Sequence, residues 1–159
     1  MDSHEIIFHE CLAAAKQCVL FDHPNRGVIE VSGQDRVQFL HNILTNDIKG
    51  LSPGKGAGAC LLNAQAKIIA NLNVLCFKDF LRLALDYSLK DKLLQALKKL
   101  VIMEDVELTD RSDELKLISI HGPKAKELFE KLVKYNVPEQ MLAHTDIAIN
   151  GKPAALIRI

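Results

Sequence analysis

The sequence lacks the charge imbalance that would indicate a partner of opposite charge. Its 159 residues contain 20 Lys and Arg against 20 Asp and Glu, so the formal net charge is zero. No block of like charge supplies the basic surface that binds a nucleic-acid backbone or an anionic membrane. We therefore predict no direct nucleic-acid partner and no membrane partner.

Long apolar runs are also missing. No segment approaches the roughly 18 consecutive apolar residues of a membrane-spanning helix. The N-terminal sequence MDSHEIIFHE carries acidic residues where a secretory signal would carry Lys or Arg. These absences predict a cytoplasmic protein. A chain of this length usually forms one domain, or two small lobes that share a core, and we predict a single domain over residues 1–159.

The four cysteines, Cys11, Cys18, Cys60 and Cys76, form no CxxC pair and no Cys/His cluster with zinc-ligand spacing. No metal site is predicted, and all four are expected to pack as buried thiols. Cys11 and Cys18 lie on one face of a predicted helix, about 10 Å apart along its axis, which is too far for a disulfide.

The apolar pattern that is present predicts a mixed α+β chain. Apolar residues recur at helical spacing from Ile7 to Cys18, from Leu89 to Leu100 and from Ala125 to Val133. Short apolar runs bounded by Gly, Asn, Asp or Pro predict strands at 28–31, 59–62, 67–76, 81–85, 106–109, 115–120, 145–149 and 154–159. The links between residues 59 and 85 are too short for crossover helices, so that part of the sheet should be antiparallel.

Two segments of the chain repeat the same order of features. VIEVSGQDRVQFLHNIL and LISIHGPKAKELFEKLV both read as an apolar strand, a glycine and an amphipathic helix, which makes Gly33 and Gly122 equivalent. Glycine permits a sharp turn at that point, and a helix begins favourably after it. We predict two duplicated strand-Gly-helix units, although any strand-turn-helix shares this order.

The glycine-rich stretch GKGAGA, from Gly54 to Ala59, matches the dinucleotide pattern GxGxx[GA] in form only. A dinucleotide site needs a strand before the pattern and a helix after it, whereas here LSP precedes and the strand-like ACLLN follows. We interpret the stretch as a flexible connection whose backbone is able to approach a ligand closely.

Two further features carry polar side chains that could bind a ligand. LTNDI, from Leu44 to Ile48, contains residues that make Asx turns, so a structural role is its default interpretation. In KIIANLNVLC, strand alternation places Asn71 and Asn73 on one face, about 7 Å apart. Asparagine is depleted in strands. The pair indicates either a solvated outer face or a pocket wall whose amides bind a polar heterocycle.

These motifs, in this order, resemble a known family. GVIEVSGQDRVQFLHNILTNDI, the glycine-rich stretch, LLNAQAKIIANLNVL and EDVELTDRSDELKLISIHGPKAKELF are similar to the amino-terminal part of the glycine-cleavage T-protein (aminomethyltransferase) and the related YgfZ-type folate-binding proteins. The resemblance covers most of Gly27 to Phe129. It implies an α+β folate-binding fold with internal duplication and a pocket for tetrahydrofolate.

The resemblance also assigns the candidate site residues. It implies that Thr45, Asn46 and Asp47 shape the mouth of the folate pocket and that Asn71 faces the pterin. Aminomethyltransferases typically read IIDDLIVY where this chain reads IIANLNVL, so their catalytic Asp falls on Asn71 and no catalytic residue is assigned. The family's folate-contacting Asn at the end of the next strand falls on Asp86.

The expected function is tetrahydrofolate binding of the YgfZ/T-protein type, closer to YgfZ, with a role in iron-sulfur enzyme maintenance or folate one-carbon metabolism. One alternative is an aminomethyltransferase of the glycine cleavage system, which would work with a lipoyl carrier protein. Another is a non-catalytic remnant or assembly module that binds no folate.

The resemblance implies a longer chain than this one. The family continues through GYTGE in T-proteins or KGCYxGQE in the YgfZ type, whereas this sequence stops at AALIRI. We expect a fragment, a split gene product or a relic. Because an unpaired apolar strand edge invites pairing, we also expect a homo-oligomer in which a second copy covers the last strand.

Overall fold

A computed structural model describes residues 3–159 of the chain, with side chains from His9 onward. The described residues form four α-helices, a 3₁₀ helix at Tyr87–Leu89 and nine β-strands. The α-helices are α1 (Ser3–Lys16), α2 (Arg36–Ile43), α3 (Lys90–Leu100) and α4 (Ala125–Val133). The strands are β1 (Val19–Asp22), β2 (Arg26–Ser32), β3 (Lys55–Leu62), β4 (Ile68–Cys76), β5 (Leu81–Asp86), β6 (Glu107–Asp110), β7 (Ile118–His121), β8 (His144–Ile149) and β9 (Lys152–Ile157).

A five-stranded sheet in the order β3-β4-β5-β2-β6 organises the larger part of the chain. Each neighbouring pair runs antiparallel. The β3–β4 turn is short because the Asn63 side chain accepts hydrogen bonds from the backbone N–H groups of Gln65 and Lys67. The predicted α+β class and the antiparallel pairing of its central strands are confirmed.

The hydrophobic core lies on one face of this sheet. Leu72 and Val74 of β4 point toward it, as do buried leucines of β5 and of α3. The buried side chains contributed by helices and neighbouring strands include Ile29, Phe39, Leu40, Leu83, Leu85, Leu93 and Leu97. Because side chains alternate along a strand, the residues between Leu72 and Val74 point to the opposite face.

The chain divides into two compact units. One contains the five-stranded sheet and comprises residues 25–115, 138–145 and 157–159. The other comprises residues 3–24, 116–137 and 146–156 of the described chain, and includes α1, the antiparallel β1–β7 pair and α4. The single domain over residues 1–159 stays a prediction.

Each unit contains one predicted strand-Gly-helix segment. Gly33 follows β2 and precedes α2, and Gly122 follows β7 and precedes α4. Their φ angles are +99° and +124°, and an added Cβ would lie 2.1 Å from Asp105 O and 2.5 Å from Gln17 O, respectively. Both positions therefore require glycine, and the prediction of two such units is confirmed.

One expectation about the N-terminal helix and one about the burial of the cysteines are wrong. The helical spacing extended to Cys18, but α1 ends at Lys16, and Cys18 precedes the unpredicted strand β1. Cys11 is exposed, while Cys18 and Cys60 are half-buried, so Cys76 is the buried cysteine. The side chain of Ile7, which began the predicted helical pattern, lies outside the described side chains.

Within residues 3–159, no helix has both the length and the apolar character needed to cross a membrane.

Candidate functional site

The face of the sheet opposite the core carries the two predicted asparagines. Asn71 is exposed and Asn73 is half-buried, between the buried residues of β4. In the antiparallel register Cys60 is opposite Asn71, Gly58 is opposite Asn73, and Ala84 is opposite Asn73 on its other side. Residues opposite each other share a face. We call the surface formed by Gly58, Cys60, Asn71, Asn73 and Ala84 the amide face.

The amides of this face are available to a ligand. The Cys60 thiol donates to Asn71 Oδ1 at 4.0 Å, which is the one side-chain hydrogen bond of Asn71 among the described residues. The side-chain amide of Asn73 has no hydrogen bond to any described residue. Each amide offers two donors and an acceptor. The amide face can therefore bind a polar heterocycle by directional hydrogen bonds.

The glycine-rich stretch contributes to this face as a strand. Residues Lys55–Leu62 form β3, which pairs with β4 in register from Lys55 opposite Cys76 onward. The predicted flexible connection at Gly54–Ala59 is therefore wrong. The glycines and alanines of this stretch leave room for close strand pairing. The backbone hydrogen bonds to β4 outweigh the low strand propensity of glycine.

Thr45 and Asn46 lie along the outer edge of β3. Thr45 N–H donates to Cys60 O at 3.1 Å, and Cys60 N–H donates to Thr45 Oγ1 at 2.9 Å. Asn46 Nδ2 donates to Gly58 O at 2.8 Å. The structure thus brings both predicted site residues next to the amide face, where they satisfy backbone groups that an edge strand would expose.

Asp47 stabilises the turn that follows. Its Oδ1 lies 3.2 Å from His41 Nδ1 and accepts a hydrogen bond from Gly50 N–H at 3.1 Å. Its own N–H donates to Asn46 Oδ1 at 2.8 Å. The expected turn-forming role of LTNDI is therefore present. The carboxylate of Asp47 is largely exposed.

Asp86 ends β5 and caps the 3₁₀ helix that follows. Its Oδ1 accepts hydrogen bonds from Ser88 Oγ at 2.5 Å and from Ser88 N–H at 2.9 Å. The hydroxyl and then the N–H of Ser88 hold the pKa of Asp86 below its usual value. Strand alternation places Asp86 on the same side of β5 as Ala84. It lies two residues beyond the amide face and is partly engaged by Ser88.

A charged cluster on the same side of the sheet was not identified from the sequence. Arg82 Nη2 lies 3.3 Å from Glu30 Oε2, and Arg111 Nη2 lies 3.4 Å from Glu30 Oε1. The Arg82 guanidinium also lies 4.8 Å from the ring centroids of Phe77 and Phe80. The alternation in LRLAL could have placed Arg82 on this face, but only the register pairs it with Glu30.

The site is made of amide, thiol and backbone groups. In the part of the chain that the structure describes, no group of three or more His, Cys, Asp or Glu residues is placed to hold a metal ion. An antiparallel sheet covered by helices on one face, with polar amides on the other, defines the class of this chain as an α+β domain.

The sequence matches a known family along its whole length. Residues 1–159 match the model described as the GCVT N-terminal domain. The chain belongs to this family, so the predicted relation to the amino-terminal part of the T-protein is confirmed.

Similar curated proteins are named aminomethyltransferases. The protein from Chloroherpeton thalassium is 37% identical over 114 residues, which are 71% of this chain and 32% of that protein. The protein from Bacillus subtilis is 29% identical over 153 residues, 94% of this chain and 41% of that protein. The chain therefore spans less than half the length of these relatives.

Two solved structures share the fold. The glycine cleavage system aminomethyltransferase T from Bartonella henselae matches with a TM-score of 0.79 at 20% identity, over 89% of this chain and 39% of that one. The heterotetrameric sarcosine oxidase from Corynebacterium sp. U-96 matches with a TM-score of 0.64 at 16% identity, over 92% of this chain and 74% of that one. At these identities the likeness establishes the fold.

Proposed function

We propose that this chain binds tetrahydrofolate and that the pterin ring lies on the amide face. The observation that carries the proposal is the pair of asparagines on one open face of β4, with amides that the described residues leave largely unbonded. Membership of the GCVT N-terminal domain family and relatives named aminomethyltransferases support the choice of ligand.

The residues present fit this ligand. A pterin carries adjacent N–H donors and a carbonyl acceptor, which a side-chain amide can match with its own acceptor and donors. In the proposal Asn71 and Asn73 bind the ring. Thr45, Asn46 and Asp47 border the site beside β3, and Asp86 borders it at the end of β5. Tetrahydrofolate would supply the one-carbon chemistry when bound.

The proposed role is of the YgfZ type, in iron-sulfur enzyme maintenance or folate one-carbon metabolism, rather than group transfer. An amide orients a ligand but carries no charge and takes up no proton at neutral pH. By the resemblance, Asn71 stands where aminomethyltransferases have a catalytic Asp. The chain therefore lacks the carboxylate at this point of the site.

Calorimetric titration with 5-formyltetrahydrofolate tests the proposal. The chain should bind, and Asn71→Ala should weaken binding by about two- to tenfold, because each lost hydrogen bond costs about 0.5–1.5 kcal/mol. Asn136→Ala is the matched control, since Asn136 is also exposed and lies outside the sheet. Unchanged affinity in Asn71→Ala would rule out the amide face, and no heat with the unmodified chain would rule out folate binding and favour a non-catalytic module.

Aminomethyl transfer is the second candidate, because the similar curated proteins bear that name. It would require a lipoyl carrier protein as partner and tetrahydrofolate as acceptor. Binding of folate with no aminomethyl turnover by the unmodified chain would eliminate it. Turnover gained by Asn71→Asp would show that the missing carboxylate alone accounts for the lost reaction.

A further inference from the structure

Gly58 lies in the interior of strand β3, where glycine is unfavourable. Glycine loses more backbone entropy on folding than any other residue and offers no side chain to pack. In a strand it often marks a bulge, a bend or a place that a ligand or another backbone approaches closely. The ladder is regular here, because Ala57, Gly58 and Ala59 pair in register and the register shift lies beyond Leu61. A bulge therefore does not explain Gly58.

The packing around Gly58 does not explain it either. A Cβ added there would meet Asn73 Oδ1 at 3.8 Å, an ordinary van der Waals contact, and the φ angle is outside the left-handed region. Gly56, two residues earlier on the same face, is different. Its Cβ would lie 2.7 Å from Val74 O and 2.9 Å from Leu142 O. The fold requires a glycine at position 56 but not at position 58.

The position of Gly58 supplies a reason. Gly58 is exposed and belongs to the row Gly58, Asn73 and Ala84 across three neighbouring strands. Because adjacent strands lie about 4.8 Å apart, the row spans about 10 Å. On the far side of Ala84 the row continues with Val28 of β2, and at the outer edge of β3 the Asn46 side chain borders it. Between these two residues only Asn73 has a side chain longer than a methyl group, so its amide lies in a low strip wide enough for a fused two-ring heterocycle.

We infer that Gly58 determines specificity by leaving this strip open, so that a flat, fused heteroaromatic ring lies directly against β3 and β4 beside the Asn73 amide. The inference rests on the proposed function, since a pterin belongs to this class of ring. A side chain at position 58 would occupy the volume of the ring. Gly58 is thus a binding determinant that contributes no polar side-chain group.

A graded series, Gly58→Ala, Gly58→Val and Gly58→Leu, tests the inference. Thermal unfolding should occur at the same or a higher temperature in Gly58→Ala and Gly58→Val, because both residues are better suited to a strand than glycine. Affinity for 5-formyltetrahydrofolate should fall as the side chain grows, by at least about tenfold in Gly58→Leu. Gly56→Ala is the contrasting control, and it should unfold at a lower temperature because its Cβ collides with backbone oxygens.

The outcomes separate this inference from the proposed function. Binding by the unmodified chain with equal affinity in Gly58→Leu would overturn the inference and leave the proposed function standing. No binding by the unmodified chain would overturn both. If the larger substitutions unfold the chain, an NMR titration of the unmodified protein decides. The Gly58 amide signal should shift with ligand while that of Gly151 should not, and an unmoved Gly58 signal would overturn the inference.

Discussion

At the scale of single residues, the buried lysine of α3 illustrates how charge is accommodated in this fold. Lys90 is 8% exposed, and its Nζ lies 2.7 Å from Asp110 Oδ2 and 4.6 Å from the centroid of the Tyr87 ring. The hydrogen bond to Asp110 raises the pKa of Lys90. Burial opposes ionisation of Asp110, but hydrogen bonds from Lys90 and Ser112 outweigh it and lower the pKa of Asp110. The pair joins α3 to β6.

This pair predicts a loss of stability at low pH. Because the pKa of Asp110 is lower in the folded state, its contribution is present above its unfolded value of about 3.9 and is lost as the pH falls through the folded value. Because the pKa of Lys90 is raised, its contribution persists up to about pH 10.4 and is lost above that value.

Asp110→Asn should therefore reduce stability at neutral pH and flatten the acid limb of the stability profile, measured by urea unfolding at a series of pH values. Asp113→Asn is the matched control, since Asp113 is exposed and close in sequence. If the free energy of unfolding falls as steeply with decreasing pH in Asp110→Asn as in the unmodified chain, other carboxylates cause the loss.

The candidate site could be predicted at this scale only in part. Strand alternation in KIIANLNVLC was sufficient to place Asn71 and Asn73 on the face away from the core. The neighbours of these residues could not be predicted. Cys60, Gly58 and Ala84 lie opposite them because of the register in which β3, β4 and β5 pair. Register depends on the packing of the whole sheet rather than on local sequence.

At the scale of elements, the hydrogen bond from Cys60 N–H to Thr45 Oγ1 at the edge strand β3 leads to a prediction. Thr45→Val removes the hydroxyl that accepts the Cys60 N–H while preserving the shape of the side chain. The free energy of unfolding should fall by about 1 kcal/mol, as expected for one lost hydrogen bond. Denaturant unfolding measures this change.

Thr145→Val serves as the control for Thr45→Val, since Thr145 is an exposed threonine on β8 and should tolerate the change. Equal stability losses in the two variants would indicate that the hydroxyl of Thr45 does not contribute specifically to the edge of β3.

The elements that the sequence predicted well are those with long periodic patterns. The helical spacing from Leu89 to Leu100 corresponds to α3, and the alternation from 67 to 76 corresponds to β4. The first residues of β3 were assigned wrongly because Gly54–Ala59 lacks the bulky residues that signal a strand. β1 was missed because its four residues, VLFD, directly follow the helical pattern.

At the scale of the whole molecule, the hairpin of β8 and β9 suggests self-association. Among the described residues, β9 pairs with β8 alone, so no described strand pairs with its other edge. Open edges pair readily with other chains. We predict that a second copy of the chain covers this edge. Light scattering at micromolar concentration should give the mass of a dimer or larger oligomer, and the mass of a monomer would contradict the prediction.

The two compact units show what an internal sequence repeat can reveal. The equivalence of Gly33 and Gly122 was visible in the sequence, and each unit contains one of them at a positive φ angle. The division of the chain into these units was not visible, because each unit is assembled from segments that are far apart in sequence.

A crystal structure of the chain with 5-formyltetrahydrofolate would test the central claim most directly. We predict density for the pterin ring against Gly58 and beside the Asn73 side chain, with the Asn71 amide within hydrogen-bond distance of the ring. A ligand bound elsewhere, or an empty amide face in crystals grown at saturating ligand, would contradict the account.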